Sequence, residues 1–243
     1  LLSVKNLMKK YNEETVVHNI SFSVNPGEIV GLLGPNGAGK TTSLNMITGI
    51  VKSNDGLIEF DGKNIEDTMV YYKKNMGFVS DVFPLYENLT GREFVVFVAE
   101  LWGVSKDYYE QQIDDLAQNF YLDDKLDDFI KTYSKGMRQK ISLIGALIHK
   151  PKLLILDEPF NGLDPVSIRE IKKFFLNYIK KGNSIIFSSH ILDIVEKICT
   201  RCVIINNGKI VADGTIDSFV HLLQKKELES DLETLFFELT KHD

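Results

Sequence analysis

Gly34-Pro35-Asn36-Gly37-Ala38-Gly39-Lys40-Thr41 is the stretch on which the fold of this chain turns. The spacing Gly-x4-Gly-Lys-Thr belongs to a loop whose glycines let backbone amides turn inward around phosphate oxygens. An apolar run over residues 28–33 precedes it and reads as a buried strand, and a helical pattern over residues 40–50 follows, stopping near Gly49. A strand, a glycine-rich turn and a helix N-terminus in that order concentrate positive potential where the phosphates would sit. The Lys40 side chain is expected to reach β- and γ-phosphates, and the Thr41 hydroxyl to hold Mg²⁺. Pro35, Asn36, Ala38 and Thr42 complete the expected phosphate contacts.

Outward from the loop, residues 15–24 alternate and end at Asn25-Pro26-Gly27, as antiparallel strands do. A hairpin is expected over residues 57–63 with Asp61-Gly62 as its turn. Thr90-Gly91-Arg92-Glu93 is a capping box at a helix start. Phe94, Phe97, Val98 and Leu101 follow at helical spacing, and a second helix is expected over residues 108–120. Residues 85–133 therefore read as an all-helical insertion, its aromatic stripe assigned to core packing. Helix and strand alternate again afterwards, with helix over 138–148, a buried strand over 153–156, a helix opening at Asp164-Pro165 and stopping at Gly182, a strand over 184–189 and a hairpin around Asn207-Gly208. The fold class is α/β with a mainly parallel sheet covered on both faces. The tail from Ser218 is amphipathic, with Leu228, Leu232, Leu235, Phe236 and Leu239 near helical spacing.

The whole chain bounds what such a site can serve. Its 243 residues are 44% hydrophobic and 26% charged, an ordinary globular composition with a sizeable core. The net charge of −6 argues against stable nucleic-acid binding as its main business. No run approaches the roughly 18–20 apolar residues of a membrane-spanning helix. No signal-peptide pattern opens the sequence and it starts without Met, so membrane contact is expected only through a partner. Cys199 and Cys202 lack further metal-type ligands at suitable spacing and are expected to be reduced thiols at a helix end.

A phosphate loop alone leaves kinase, GTPase and ATPase open. The run Leu153-Leu-Ile-Leu-Asp157-Glu158-Pro159 narrows the choice, because an apolar strand delivers adjacent carboxylates at its C-terminal end, where open α/β sheets place ligands. Asp157 can join a Mg²⁺ shell, and Glu158 can polarise a water for in-line attack on a γ-phosphate. A GTPase would need a guanine-reading Asn-Lys-x-Asp, which this sequence lacks.

From about Val4 to Ala212 the chain resembles the ATPase subunits of ABC transporters. Tyr133-Ser134-Lys135-Gly136-Met137, some twenty residues ahead of Asp157, resembles their signature, usually near L-S-G-G-Q. Asn161-Gly162-Leu163-Asp164 resembles the loop that joins the two sites of a dimer. Ser188-Ser189-His190 resembles the segment whose His contacts the γ-phosphate, and Tyr11 stands where an aromatic residue stacks on adenine. The resemblance implies a P-loop, RecA-like core with an N-terminal antiparallel β subdomain (residues 1–84 with 134–216), a helical subdomain at 85–133 and a helical tail at 217–243. It implies ATP and Mg²⁺ as cofactors, with catalysis by Glu158, His190 and Lys40. A second ATPase subunit, identical or related, would pack head to tail, so that Gly34–Thr42 of one chain faces Ser134, Lys135, Gly136 and Met137 of the other. A separate transmembrane subunit would dock on the helical insertion, near residues 83–86, and hold the chain at the cytoplasmic face of the membrane.

Two features depart from the family pattern. Gly77-Phe78-Val79-Ser80-Asp81 has a carboxylate where the family usually has Gln; Asp81 can still offer oxygen to Mg²⁺ but, when ionised, cannot donate a hydrogen bond. Lys135 and Met137, with Asp81 and the tail, resemble the branch that serves bacterial drug, antibiotic and small-molecule exporters. A relative acting in translation or on DNA is the alternative; such chains carry two cassettes or a long coiled-coil insertion, and this one carries neither.

Overall fold

The computed structural model describes residues 1–82, 85–219, 234 and 236. Strands β1 (Leu2–Tyr11) and β2 (Glu14–Val24) form a long antiparallel hairpin, and β3 (Ile29–Leu33) leads into helix α1 (Lys40–Ile47). The hairpin of β4 (Asp55–Phe60) and β5 (Lys63–Asn64) follows, then α2 (Met69–Asn75) and β6 (Met76–Val79). Helices α3 (Gly91–Leu101) and α4 (Lys106–Asn119) and two 3-10 turns, Asp123–Lys125 and Ile130–Thr132, make up the insertion. The remainder runs α5 (Lys135–Leu147), β7 (Leu153–Leu156), α6 (Pro165–Lys180), β8 (Ser184–Ser189), α7 (Leu192–Ile198), β9 (Arg201–Asn206) and β10 (Lys209–Thr215).

One sheet has the order β2-β1-β4-β5 and is antiparallel; the other has the order β10-β9-β3-β8-β7-β6. In the second every pairing is parallel except β10 on β9 at the edge. Every residue of β3, β7 and β8 is buried, as helices on one face and the antiparallel sheet with α1 on the other require. Side chains alternate between the two cores. Ile29, Leu33, Leu154, Leu156, Ile185 and Phe187 meet α5 and α6, whereas Val30, Leu32, Leu153, Ile155 and Ile186 meet α1 and the antiparallel sheet. Each such buried aliphatic side chain contributes about 1.5–3 kcal/mol. Asp61-Gly62 (φ 50° and 75°) and Asn207-Gly208 (φ 44° and 72°) have positive φ at both residues, the hairpin-turn geometry that the sequence predicts.

The insertion shares the first of these cores, through Phe94, Val95, Ala99, Ile113 and Phe120 packed with Leu143, Ile144 and Leu147. Thr90 caps α3 as expected, with reciprocal Thr90–Glu93 hydrogen bonds. Its aromatic stripe corrects one expectation: Phe94 is core, but Phe97 is 38% and Leu101 71% exposed. At 3.6 residues per turn the inward face is Phe94, Val95, Val98 and Ala99, which leaves Phe97 and Leu101 on the outer face with Tyr86 edge-on to Phe97. Helices α2 and α7 and strand β6 have no counterpart in the sequence reading; they are four to seven residues long, too short for periodicity to register. Both cysteines are free thiols, as expected; Cys199 ends α7 as read, but Cys202 lies in β9, and burial pushes both thiol pKa values up. Among the described residues no helix is long and apolar enough to cross a membrane. Of the amphipathic tail only Ser218, Phe219, Thr234 and Phe236 are among the described residues, and positions 83 and 84 of the expected docking stretch lie outside them.

Candidate functional site

Strand β3 delivers the chain to Gly34, which lies so close to the Ile205 carbonyl that a Cβ would overlap it. Gly39, at φ 97°, opens α1; a Cβ there would stand 3.0 Å from the Val16 carbonyl. The Gly208 amide donates to the Ala38 carbonyl (3.0 Å), and the His18 amide donates to the Gly208 carbonyl (2.8 Å), so the β9–β10 turn fastens the loop to β2. Helix α1 starts with no side-chain cap and no acid in its first turn, which leaves its amides available to an anion. Lys40 is only 6% exposed, and its ammonium donates to the carbonyls of Gly34 (2.7 Å) and Pro35 (3.1 Å). Burial lowers its pKa, opposed by Glu158, whose Oε1 is 3.6 Å away, and by Asp157.

The acids are set by neighbouring strand ends. The Asp157 amide donates to the Val79 carbonyl (2.9 Å), which aligns the ends of β6 and β7 and brings Asp81 beside the acidic pair. Asp157 is 3% exposed and accepts from the Ser188 hydroxyl at 2.5 Å; the Ser188 oxygen accepts from the Glu158 amide at 2.8 Å. Glu158 has φ 48°, a left-handed backbone uncommon outside glycine. That conformation points its carboxylate between Lys40 and His190, whose Nδ1 is 2.9 Å from Oε2. A cleft of about 460 Å³ opens here. Asn36, Gly37, Gly39, Lys40, Thr41 and Thr42 line it together with Asp81, Glu158, Asn161 and His190.

Several expected residues do not line that cleft. Gly34, Pro35 and Ala38 form the back of the loop, and Asp157 lies beneath it. Tyr11 sits at the end of β1, 45% exposed, with the Lys9 ammonium 5.1 Å above its ring; Val16 of β2 lines the cleft instead. Ser134, Lys135, Gly136 and Met137 are absent from its walls. Ser134 caps α5 by accepting from the Met137 amide (3.2 Å). Gly136 presses on the start of α6, where its Cβ would meet the Ser167 hydroxyl at 2.5 Å. The signature thus forms one unit with Asp164, which caps α6 through the Val166 and Ser167 amides.

Residues 17–161, more than half of the chain, match the family described as ABC transporter. The chain belongs to the ABC transporter ATP-binding family. It is 36% identical over 243 residues to the ABC-type transporter ATP-binding protein EcsA of Bacillus subtilis (strain 168), covering 100% of this chain and 98% of that one. It is 34% identical over 94% of its length to the lipopolysaccharide export system ATP-binding protein LptB of Haemophilus influenzae (strain ATCC 51907 / DSM 11121 / KW20 / Rd), 96% of which is covered. A solved ATP-binding subunit of an ABC transporter superposes with TM-score 0.88 at 35% identity, covering 98% of this chain and 99% of that one. The protein is therefore an ATP-binding subunit of an ABC transporter, and an ATPase.

The donor set of this ABC ATPase suits Mg²⁺ carried by a nucleotide. Among the described residues no three His, Cys, Asp or Glu side chains gather into a self-sufficient metal site. Mg²⁺ is bound through one or two carboxylates and takes most of its remaining ligands from phosphates and water, and the Asp157 and Asp81 carboxylates beside the Thr41 hydroxyl could supply the protein's share. Ser188 is the residue whose role the sequence did not disclose. Its signal was position, two residues before His190 at the end of a strand lying between β3 and β7.

Proposed function

We propose that two such subunits, identical or related, close head to tail around two Mg²⁺-ATP and drive a separate transmembrane subunit. The observation that carries this reading is that Ser134–Met137, at the start of α5, do not line the cleft of Lys40, Glu158 and His190 in the same chain. A second copy turned end for end would supply them. Within each cleft, the loop amides from Gly34 to Thr42 hold the β- and γ-phosphates, Lys40 neutralises them, and Tyr11 stacks on the base. Thr41, Asp157 and Asp81 hold Mg²⁺, which when bound draws charge from the phosphate oxygens. Glu158, fixed by its backbone and by His190, orients a water in line with the γ-phosphate. His190 then passes from Glu158 to the γ-phosphate as the dimer closes.

Docking of the transmembrane subunit is supported by apolar side chains left in solvent beside Asp81. Val82 is 82%, Tyr86 57% and Leu101 71% exposed, with Phe97 between them. Changes at the cleft reach this patch through β6 and Asp81. The chain then lies on the cytoplasmic face of the membrane, held there by its partner. Export is the favoured direction, because the Lys135 and Met137 signature resembles the drug and antibiotic exporter branch, and LptB belongs to an export system by its name. Affinity purification of the tagged chain from detergent-solubilised cells tests the reading. Recovery of a polytopic membrane protein in stoichiometric amount is expected; recovery with ribosomes or DNA instead would assign the chain to a non-transport role.

A further inference from the structure

Lys135 occupies a signature position at which the family pattern L-S-G-G-Q has Gly. It is the first residue of α5, and its stem runs towards Gly162, whose φ is 67°. A Cβ at Gly162 would stand 2.6 Å from the Lys135 ammonium, 3.5 Å from Cε and 3.6 Å from Cδ. The ammonium therefore rests on the 161–164 loop, and one side chain spans both segments that the shared-site reading sends to the partner's nucleotide. Among the described residues no carboxylate lies within 4.0 Å of it, whereas Lys140 on the same helix is paired with Glu170 at 2.5 Å. Asp164, the acid at this junction, is already committed: Oδ1 accepts from the Val166 and Ser167 amides (3.0 and 2.9 Å) and Oδ2 accepts from the Ser167 hydroxyl (2.6 Å). Neither α5 nor α6 has an acidic residue in its first turn. An exposed cation at such a place raises the local potential, and among the described residues no counter-charge is paired with it.

We propose that Lys135 supplies a positive charge across the dimer interface to the γ-phosphate held by the partner subunit. This rests on the shared-site reading and goes beyond it, since the backbone and hydroxyl contacts of the signature provide no net charge. In the closed dimer the ammonium donates hydrogen bonds to a phosphate oxygen whose negative charge grows as the bond to the leaving group breaks; no proton is transferred by Lys135. Such a contact strengthens closure and lowers the barrier, in the manner of a cationic finger supplied in trans.

The test uses the full chain in a Glu158→Gln background for dimerisation and in the wild-type background for turnover. Lys135→Gln and Lys135→Arg are compared by sedimentation with ATP and Mg²⁺ at two ionic strengths. Lys135→Gln is expected to weaken the ATP-bound dimer about tenfold or more, the scale of one charge-assisted hydrogen bond. It should flatten the salt dependence of dimerisation, lower kcat, and leave ATP affinity of the dilute monomer unchanged. Lys135→Arg is expected to restore dimerisation and its salt dependence, which a purely structural tie to Gly162 would not produce. Dimerisation and kcat of Lys135→Gln equal to those of the parent overturn the role of Lys135 while leaving the shared site standing. A Glu158→Gln parent that stays monomeric at saturating Mg²⁺-ATP overturns the shared site, and this role with it.

Discussion

Glu158 is the strained residue on which the proposed chemistry turns. A non-glycine residue at φ 48° costs on the order of 1–3 kcal/mol, sustained here because its amide is fixed by Ser188 and its carboxylate by His190 and Lys40. The Asp157–Ser188–Glu158 chain of hydrogen bonds makes the two acids a rigid pair, with Asp157 buried and Glu158 lining the cleft. Lys40 is the complementary charge. Lys40→Ala is expected to weaken ATP binding by about 100-fold, the scale of losing a buried charge-assisted contact, and undiminished affinity in a fluorescent-nucleotide titration would defeat the assignment of the loop. Asp81 also lines the cleft. Asp81→Gln keeps an oxygen there, so hydrolysis measured by phosphate release should persist; outright loss would mean that the carboxylate charge itself is required.

Helix α5 links the ends of the molecule at the scale of elements. Its N-terminus carries the signature, its middle is tied to α6 by Lys140 and Glu170, and its far end leads to His149, stacked on Trp102 of the insertion at 4.3 Å. The His149 Nε2 is 3.0 Å from the Met76 carbonyl, so the neutral ring donates there and joins insertion, α5 and β6. Burial lowers the His149 pKa below 6.5. The unfolded chain then takes up a proton at a pH where the folded chain does not. Stability contributed at this site is full above 6.5 and is lost as pH falls below that value. His149→Gln should therefore lose less stability than wild type between neutral pH and mild acid, as read by urea denaturation at each pH. Trp102 is the single tryptophan, so its fluorescence should report protonation of the ring stacked on it, with a midpoint below 6.5. A midpoint above that value would contradict the burial argument.

On the proposed reading the molecule as a whole is a half-site joined to a docking face, and its function lies in assembly. Glu158→Gln should bind Mg²⁺-ATP, lose about 10²- to 10⁴-fold in turnover, the range for removing a general base, and accumulate as a nucleotide-bound dimer in size-exclusion chromatography. A monomer under those conditions would count against the head-to-tail arrangement. Much of this was legible in the chain. Gly34, Gly37, Gly39 and Lys40 announce a phosphate loop because only those residue types permit the turn and supply the charge. The buried strands at 29–33 and 153–156 announce a parallel sheet because they are apolar without alternation, and Thr90, Glu93, Asp164 and Pro165 announce helix starts because capping is local chemistry. Residues far apart in sequence needed the fold. The hydrogen bonds of Ser188 to both acids, the placing of Val16 rather than Tyr11 on the cleft, and the contact of Lys135 with Gly162 depend on strand order and helix packing. So does the outward turn of Phe97 and Leu101. The sequence by itself determined the loop, the acids and the elements that carry them, since these follow from short-range backbone and charge requirements. The tertiary structure decided which of those groups share a cleft and which lie outside it, because that depends on long-range packing across the sheet.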